Sequence, residues 1–269
     1  MQNEKHHGYW LLMGLCAFGL YSSSAQAQTV DAPRGEVTVY VSSQKVALAV
    51  LPLAESSKVD LARQIDDTLT HTLNLSGVFS LLPVASFMPG LMQEPMATTD
   101  YSKWHISGAS ALIKGEVRSS GSGYWLDLGL FDVDGSKRVS LSWQAKTVTS
   151  SNVRSAVYEF VNAVVGYYTG EPGFFGQSML AVSRDGRGKD ARIVSMSTDG
   201  TGVSRVTKST AIEMLPAWGP DGSVLLTSYA KGNPDLYIVR GGNGKRISSH
   251  PGMNSGASYC PGNGRIALT

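Results

Sequence analysis

The chain has 269 residues, of which 42% are hydrophobic and 16% are charged. At roughly 150 residues per domain this length predicts about two domains, and the apolar share excludes disorder for most of the chain. The formal net charge of +2, from 23 basic and 21 acidic side chains, excludes the strong basic excess typical of nucleic-acid binding. Two cysteines are too few for a disulfide framework.

The N-terminus has the order of a secretory signal. Lys5 lies in a weakly basic start, residues 10–20 form an apolar run, and Ala25-Gln26-Ala27 places small residues two apart. The run is too short to span a membrane as a helix, which needs about 20 apolar residues. We predict a signal peptide of residues 1–27 and an exported mature chain. The alternative is a short membrane anchor.

Residues 30–170 alternate strand and helix patterns. The sequence VALAVLPL at residues 46–53 is nearly all apolar, as in a strand covered on both faces. Apolar residues then recur every three or four positions from Val59 to Leu73, which predicts a helix ending near Gly77. Residues 83–100 are rich in proline and methionine and are expected to form a loop that packs loosely on the core. The alternative for this loop is a methionine-rich binding surface.

A meander and a second helix follow. Strands are predicted at residues 111–118, 124–132 and 139–147, joined by glycine-containing turns. From Ser150 or Ser151 an apolar helical face continues until Gly170 ends it. Helices packed on one mixed sheet give a small α/β domain, which we place at residues 28–170.

After residue 171 the chain changes to short β runs separated by turns, and it repeats itself. The stretch AWGPDGS aligns with SYCPGNG, so that Trp218 corresponds to Tyr259 and Pro220 to Pro261, in both cases 41 positions later. A period near 40 with four strands per unit is typical of propeller blades. The predicted fold is an α/β N-terminal domain followed by an incomplete β-propeller of about two blades at residues 171–269. The alternative for this part is an unrelated β-sandwich with regular turns.

The sequence AWGPDG at residues 217–222 resembles the AWSPDG repeat of TolB-type propellers. Upstream stretches look like further segments of that family in the same order along the chain. They are EVTV at residues 36–39, AVLPL at 49–53, NLSGVF at 74–79, IKGEV at 113–117 and YTGEPGFF at 168–175. The chain is therefore identified as a member of the TolB family, the periplasmic component of the Tol-Pal system.

The resemblance implies a non-enzymatic protein of the periplasm that binds other proteins. The family joins an N-terminal α/β domain to a six-bladed propeller, and its system supports outer-membrane integrity and the constriction of that membrane during cell division. It implies no cofactor, no metal and no nucleic-acid partner. It also implies a protein that does not span the membrane once the signal has been removed.

Two partners are implied. A TolA-like inner-membrane protein would recognise an N-terminal arm at residues 28–43, with Glu36, Val37, Val39 and Val41 as contacts. An extended arm with alternating valines can add to an exposed sheet edge of a partner. The alternative is that these residues form an ordinary first strand of the domain. Both interpretations are correct if the segment alternates between a docked strand and a released arm. The family has a Gly-rich spacer after the arm, whereas this chain has Gln44-Lys45. The resemblance therefore does not fix the residue at which the arm ends.

The second partner is a Pal-like peptidoglycan-associated lipoprotein of the outer membrane, bound by the propeller. The repeat motif has a structural role in this scheme, packing neighbouring blades and reversing the chain. Its residues are Trp218, Pro220, Asp221, Gly222, Tyr259 and Pro261. Since a closed propeller needs at least about four blades, we expect a fragment or a truncated gene product in which Pal binding is impaired.

Two other classes of protein are alternatives. A fragment of a propeller-containing serine peptidase is the main alternative, but the sequence has no Gly-x-Ser-x-Gly nucleophile motif. His71, His105 and His250 are isolated, without the paired spacing that holds zinc. A propeller that binds a small ligand or sugar would need a central channel. We therefore expect no enzyme activity.

Overall fold

The computed structural model describes residues 45–55, 59–184, 191–260 and 264–268, which all belong to one unit of residues 43–269. The predicted signal peptide and N-terminal arm lie outside these residues. The strands of the described part are β1 (Val46–Val50), β2 (Ala54–Glu55), β3 (Phe79–Leu81), β4 (Ala111–Ser120), β5 (Gly123–Asp132), β6 (Lys137–Arg138), β7 (Lys146–Val148), β8 (Ser178–Arg184), β9 (Ala191–Ser197), β10 (Ser204–Arg205), β11 (Glu213–Trp218), β12 (Val224–Ser228), β13 (Asp235–Arg240), β14 (Asn243–Ser248), β15 (Ser258–Tyr259) and β16 (Ile266–Ala267). The helices are α1 (Val59–Leu75), α2 (Tyr101–Ile106) and α3 (Val153–Thr169), with 3₁₀ turns at Val84–Ser86 and Leu91–Gln93.

The first seven strands form one mixed sheet in the order β3-β1-β4-β5-β6, with β2 on β4 and β7 on β5. Strand β1 is parallel to β3 and β4, whereas β4 and β5 make a long antiparallel hairpin. Both faces of β1 are covered, as its apolar sequence predicted. Leu48 packs into the larger core, and Ala49 packs into a second core on the other face.

Helices α1 and α3 cover one face of this sheet. Ile65, Leu69 and Leu73 of α1 are fully buried there, which confirms the predicted apolar face. Helix α3 begins at Val153, slightly later than predicted, and ends at Gly170, whose φ of 81° lies in the left-handed region. Each long helix has 17 residues. Within the described ranges no helix combines the length and the apolar character needed to cross a membrane.

The loop of residues 83–100 differs from its prediction. It was expected to pack loosely, but Leu91 is 2% exposed and Met88 and Met96 pack against the second core beside the buried Trp104. The ring of Phe87 meets Trp104 edge to face at 5.0 Å. The loop packs closely on the core because its buried Glu94 pairs with Lys114 of β4.

Three further sheets follow: β10-β9-β8, the antiparallel meander β11-β12-β13-β14, and the pair β15-β16. The three sheets stack in chain order. Strand β12 is fully buried, and its successive side chains contact the sheet before it and the sheet after it in alternation. Val224 and Leu226 share a core with Ile193 of the preceding sheet. Leu225 shares a core with Ala257, and Tyr259 packs against that core. A four-stranded meander packed on both faces is consistent with a propeller blade, but the number of blades stays a prediction.

Candidate functional site

The predicted contacts of the N-terminal arm, Glu36, Val37, Val39 and Val41, lie outside the described residues, as does Pro261 of the repeat motif. The role assigned to the arm therefore stays a prediction. The other repeat residues are described, and they lie at the turn between β11 and β12 and in β15.

The first copy of the repeat forms a tight turn fixed by Asp221. The Asp221 carboxylate accepts hydrogen bonds from the Ser223 amide at 3.1 Å and from Arg240 Nη2 at 2.8 Å. The hydroxyl of Ser223 and the Arg240 guanidinium hold the pKa of Asp221 well below its usual range. Gly222 completes the turn at a φ of 74°, which favours glycine. Trp218 ends β11 with its side chain 42% exposed.

The second copy packs directly on the first. A Cβ atom added to Gly219 would collide with Oγ of Ser223 in the same turn and would lie 2.7 Å from Cε2 of Tyr259 in the second copy, so both residues exclude a larger side chain here. The hydroxyl groups of Ser223 and Tyr259 are 3.3 Å apart. The family pattern AWSPDG has serine where this chain has Gly219. The close approach of the two copies gives that departure a physical reason.

A buried polar junction joins the α/β layer to the sheet β8-β10. Asp199 lies in the turn after β9, and its carboxylate is 1% exposed. It accepts hydrogen bonds from the Tyr158 hydroxyl and, at 3.0 Å, from Arg154 Nη1, both on α3. Its backbone carbonyl lies 2.9 Å from Nε2 of His71 on α1. One aspartate thus connects both long helices to the first of the stacked sheets.

The pKa of Asp199 reflects this environment. Burial by itself would raise it, but hydrogen bonds from Thr201 and Tyr158 outweigh burial and lower the pKa to about 2. The side chain is therefore a carboxylate at neutral pH. Its charge faces the Arg154 guanidinium and stabilises the junction.

The histidines take part in local contacts. His71 meets a backbone carbonyl, and the ring of the exposed His105 lies 3.3 Å from a carboxylate oxygen of Asp134. His250 lies in a loop, where its carbonyl accepts from the side chain of Asn254 at 2.8 Å. Across the described part of the chain, no group of three or more His, Cys, Asp or Glu side chains is arranged to hold a metal ion.

A buried ion pair has no signal in the sequence. Lys114 of β4 is 1% exposed at its side chain, and Nζ lies 3.1 Å from Oε2 of Glu94 in the loop of residues 83–100. The ammonium also donates to the carbonyls of Pro95 and Thr98. Glu94 accepts a further hydrogen bond from the indole of Trp104 at 2.9 Å. Burial lowers the pKa of Lys114, against the opposing effect of Glu94.

These observations define a class: a mixed α/β layer followed by stacked antiparallel sheets, in which the buried polar groups fix turns and junctions. Residues 36–139 match the family model described as the TolB amino-terminal domain. The chain belongs to the TolB family.

Curated relatives agree with this assignment. The chain is similar to the Tol-Pal system protein TolB of Desulfosudis oleivorans, with 33% identity over 79% of this chain and 48% of that protein. It is similar to the protein of the same name from Syntrophus aciditrophicus, with 29% identity over 86% of this chain and 53% of that protein. The chain thus spans about half the length of these relatives.

The fold is also that of a solved structure. The crystal structure of TolB from Acinetobacter baumannii superposes with a TM-score of 0.63 at 21% sequence identity, covering 84% of this chain and 57% of that one. At this identity the likeness concerns the fold alone. It extends beyond the matched amino-terminal domain.

Proposed function

We propose that the protein is a non-enzymatic component of the Tol-Pal system that acts in the periplasm by binding other proteins. In this role it supports outer-membrane integrity and the constriction of that membrane during cell division. The observation that carries the proposal is the match of residues 36–139 to the TolB amino-terminal domain. The relatives named as Tol-Pal system proteins, which align over most of this chain, support it.

The first proposed partner is a TolA-like inner-membrane protein. Its contacts are Glu36, Val37, Val39 and Val41, in an arm of residues 28–43 that becomes the mature N-terminus after cleavage of the signal peptide. The alternation of valine with Thr38 and Tyr40 supports this, because an added strand presents successive side chains to opposite faces. The partner would receive the valines, while the other face stays polar.

The second proposed partner is a Pal-like peptidoglycan-associated lipoprotein, bound by blades of propeller type. Support comes from the meander β11-β12-β13-β14, which is buried on both faces by its neighbours in the chain. Tyr259 packs against the core that the meander shares with the next sheet, and Asp221 fixes the turn between β11 and β12. We assign these two residues and Trp218 a structural role.

The arm provides the sharpest test of the proposed function. The variant Val37→Lys with Val39→Lys places charges on the valine face, and Thr38→Lys with Tyr40→Lys places the same charges on the opposite face as a matched control. We expect capture by immobilised TolA of the source organism to weaken at least tenfold in the valine variant and much less in the control. Deletion of residues 28–43 should abolish capture.

The arm assignment is wrong if the deletion leaves capture intact, or if both lysine pairs reduce it equally. Far-ultraviolet circular dichroism of each variant shows whether the fold is retained. Capture of Pal by the same samples tests the second partner separately, because the substitutions lie outside the stacked sheets.

A further inference from the structure

A small cavity lies beside the meander, next to a buried carboxylate that the proposed function does not use. Its volume is about 160 Å³, room for about five water molecules. Glu213, the first residue of β11, lines it and is 3% exposed. The surrounding residues come from the loop before β11 and from the strands β12, β13 and β14.

Among the described residues, Glu213 finds less charge compensation than a buried carboxylate needs. Within the described ranges its side chain has one hydrogen-bond partner, the hydroxyl of Thr207, and no ion pair. A buried carboxylate is strongly destabilising unless a cation or several donors satisfy it. The cavity is the space from which such a donor can reach the Glu213 carboxylate.

The neighbouring acidic residue shows the contrast. Glu213, Ser228 and Asp235 face one another across three adjacent strands. Asp235 is 1% exposed but accepts from Arg246 at 3.0 Å and from Asn233 at 2.7 Å. Its charge is therefore compensated by neighbouring side chains, whereas no cation in the described part of the chain pairs with Glu213.

The lining has two chemical parts. The oxygen acceptors are the Glu213 carboxylate and the hydroxyls of Thr207, its hydrogen-bond partner, and of Ser228, its neighbour across the sheet. The walls beside them are apolar, formed by Leu226, Val239 and the ring of Tyr237. An ammonium with three donors suits the polar part, and an unbranched methylene chain suits the apolar walls.

We infer that this cavity is a binding site for a primary alkylammonium group, held by Glu213. The group belongs either to a free small amine or to a lysine side chain of a partner protein, since the recognised chemistry is the same. The assignment does not depend on the Tol-Pal function. A lone divalent metal fits less well, because hard cations prefer several carboxylate or carbonyl oxygens and Glu213 is the one carboxylate in the lining.

Two variants test the site by different means. Glu213→Gln removes the charge and keeps the size. Gly244→Val fills the cavity, since a Cβ on Gly244 would lie 3.6 Å from Tyr237 and 3.8 Å from Val239, ordinary contact distances that leave the added methyl groups inside the cavity. Valine also suits a strand, so this variant keeps the test decisive if Glu213→Gln does not fold.

The probe is n-butylammonium, titrated into the full chain while amide chemical shifts of Ser228 and Gly244 are followed by NMR. We expect saturable binding to the wild type that is at least tenfold weaker in both variants. The uncharged probe 1-butanol should bind the wild type at least tenfold more weakly. A second titration with Nα-acetyl-lysine N-methylamide separates the sources: binding indicates that a protein lysine can enter, and its absence restricts the site to free amines.

Other outcomes would overturn the proposal. Equal binding of n-butylammonium to wild type and Glu213→Gln, equal binding of 1-butanol, or no binding to the wild type each contradict it. The exposed Lys208 also lines the cavity and is a competing occupant. If the wild type binds no amine but Lys208→Met does, the ammonium of Lys208 itself fills the site and the proposal is wrong.

Discussion

The Tyr158 hydroxyl donates a hydrogen bond to the carboxylate of Asp199, which lies 41 positions later in the chain. Tyr158 belongs to helix α3 of the α/β layer, and Asp199 to the turn that follows β9 in the first of the stacked sheets. Both side chains are buried, so the contact ties the two regions together in an environment from which water is excluded. The link has a charged acceptor, which makes it stronger than a neutral hydrogen bond.

Because the pKa of Asp199 is lowered from 3.8 to about 2, its carboxylate should contribute pH-dependent stability. An aspartate whose folded pKa is depressed stabilises the fold above its unfolded pKa, and this contribution is lost as the pH falls through the folded pKa. We expect Asp199→Asn to lower the free energy of unfolding by about 2 kcal/mol at pH 7. The difference from wild type should shrink between pH 4 and pH 2. Urea unfolding across this range measures it, and a pH-independent difference would contradict the prediction.

Tyr158→Phe tests the same junction from the helix side. It removes one hydrogen bond to Asp199 and leaves the pair with Arg154, so we expect a loss of about 1 kcal/mol in unfolding free energy. The pKa of Asp199 should rise toward its usual value, which carboxyl-carbon NMR titration would detect. An unchanged pKa would show that the Tyr158 hydroxyl does not stabilise the carboxylate.

Local patterns predicted the two long helices, whereas the strand predicted at residues 139–147 is limited to β7 and the short helix α2 was not predicted. The apolar spacing of α1 and α3 and the glycines after them indicated both helices, because a buried helix face repeats every three to four residues. The hairpin β4-β5 was predicted from its two β runs and the turn between them. Strand β11 was missed, since it contains Pro216 and a bulge between Met214 and Ala217 that disrupt the alternation of a strand.

The site was harder to predict than the fold. The turn at Asp221 follows from its sequence, but the contact between Asp199 and Tyr158 joins residues from different elements and has no local signal. The same holds for Lys114 and Glu94, which are 20 positions apart. A lysine within an apolar strand and a glutamate within a proline-rich loop gave no indication that they form a buried pair. Such pairs depend on how the layers pack.

The Lys114–Glu94 pair should respond unequally to the loss of each partner. Glu94→Leu leaves the buried ammonium three neutral acceptors, the carbonyls of Pro95 and Thr98 and the hydroxyl of Thr99, but no counter-charge, and it removes the acceptor of Trp104, so we expect a loss of about 3–5 kcal/mol. Lys114→Met leaves Glu94 with two donors, the Trp104 indole and the Asp100 amide, and should be less destabilising, about 1–3 kcal/mol. Urea unfolding of both variants gives the comparison. Equal losses would show that the donors kept by Glu94 stabilise it no better than the acceptors kept by Lys114, and would contradict the prediction.

Leu215 is a strained position. Its φ of 53° lies in the left-handed region, which disfavours residues with a Cβ atom, and its side chain is 49% exposed. Leu215→Gly should therefore unfold with a free energy about 1 kcal/mol higher than Leu215→Ala, which keeps the Cβ atom but loses the rest of the side chain. Thermal unfolding of the two variants tests this directly. If the alanine variant is the more stable one, the left-handed backbone does not occur in solution.

Gly219 and Tyr259 provide a test of the packing between successive repeats. Gly219→Ala would place a Cβ atom 2.7 Å from the tyrosine ring, so the ring must move and the variant should lose about 1–3 kcal/mol in unfolding free energy. Because Oγ of Ser223 lies nearer still to that Cβ atom, every variant of this cycle also carries Ser223→Ala, and Tyr259→Ala then removes the remaining obstacle. In this background the alanine at position 219 should destabilise far less when Tyr259 is absent than when it is present, giving a favourable coupling of at least about 1 kcal/mol. Fully additive losses in urea unfolding would mean that the two repeats do not meet at this point.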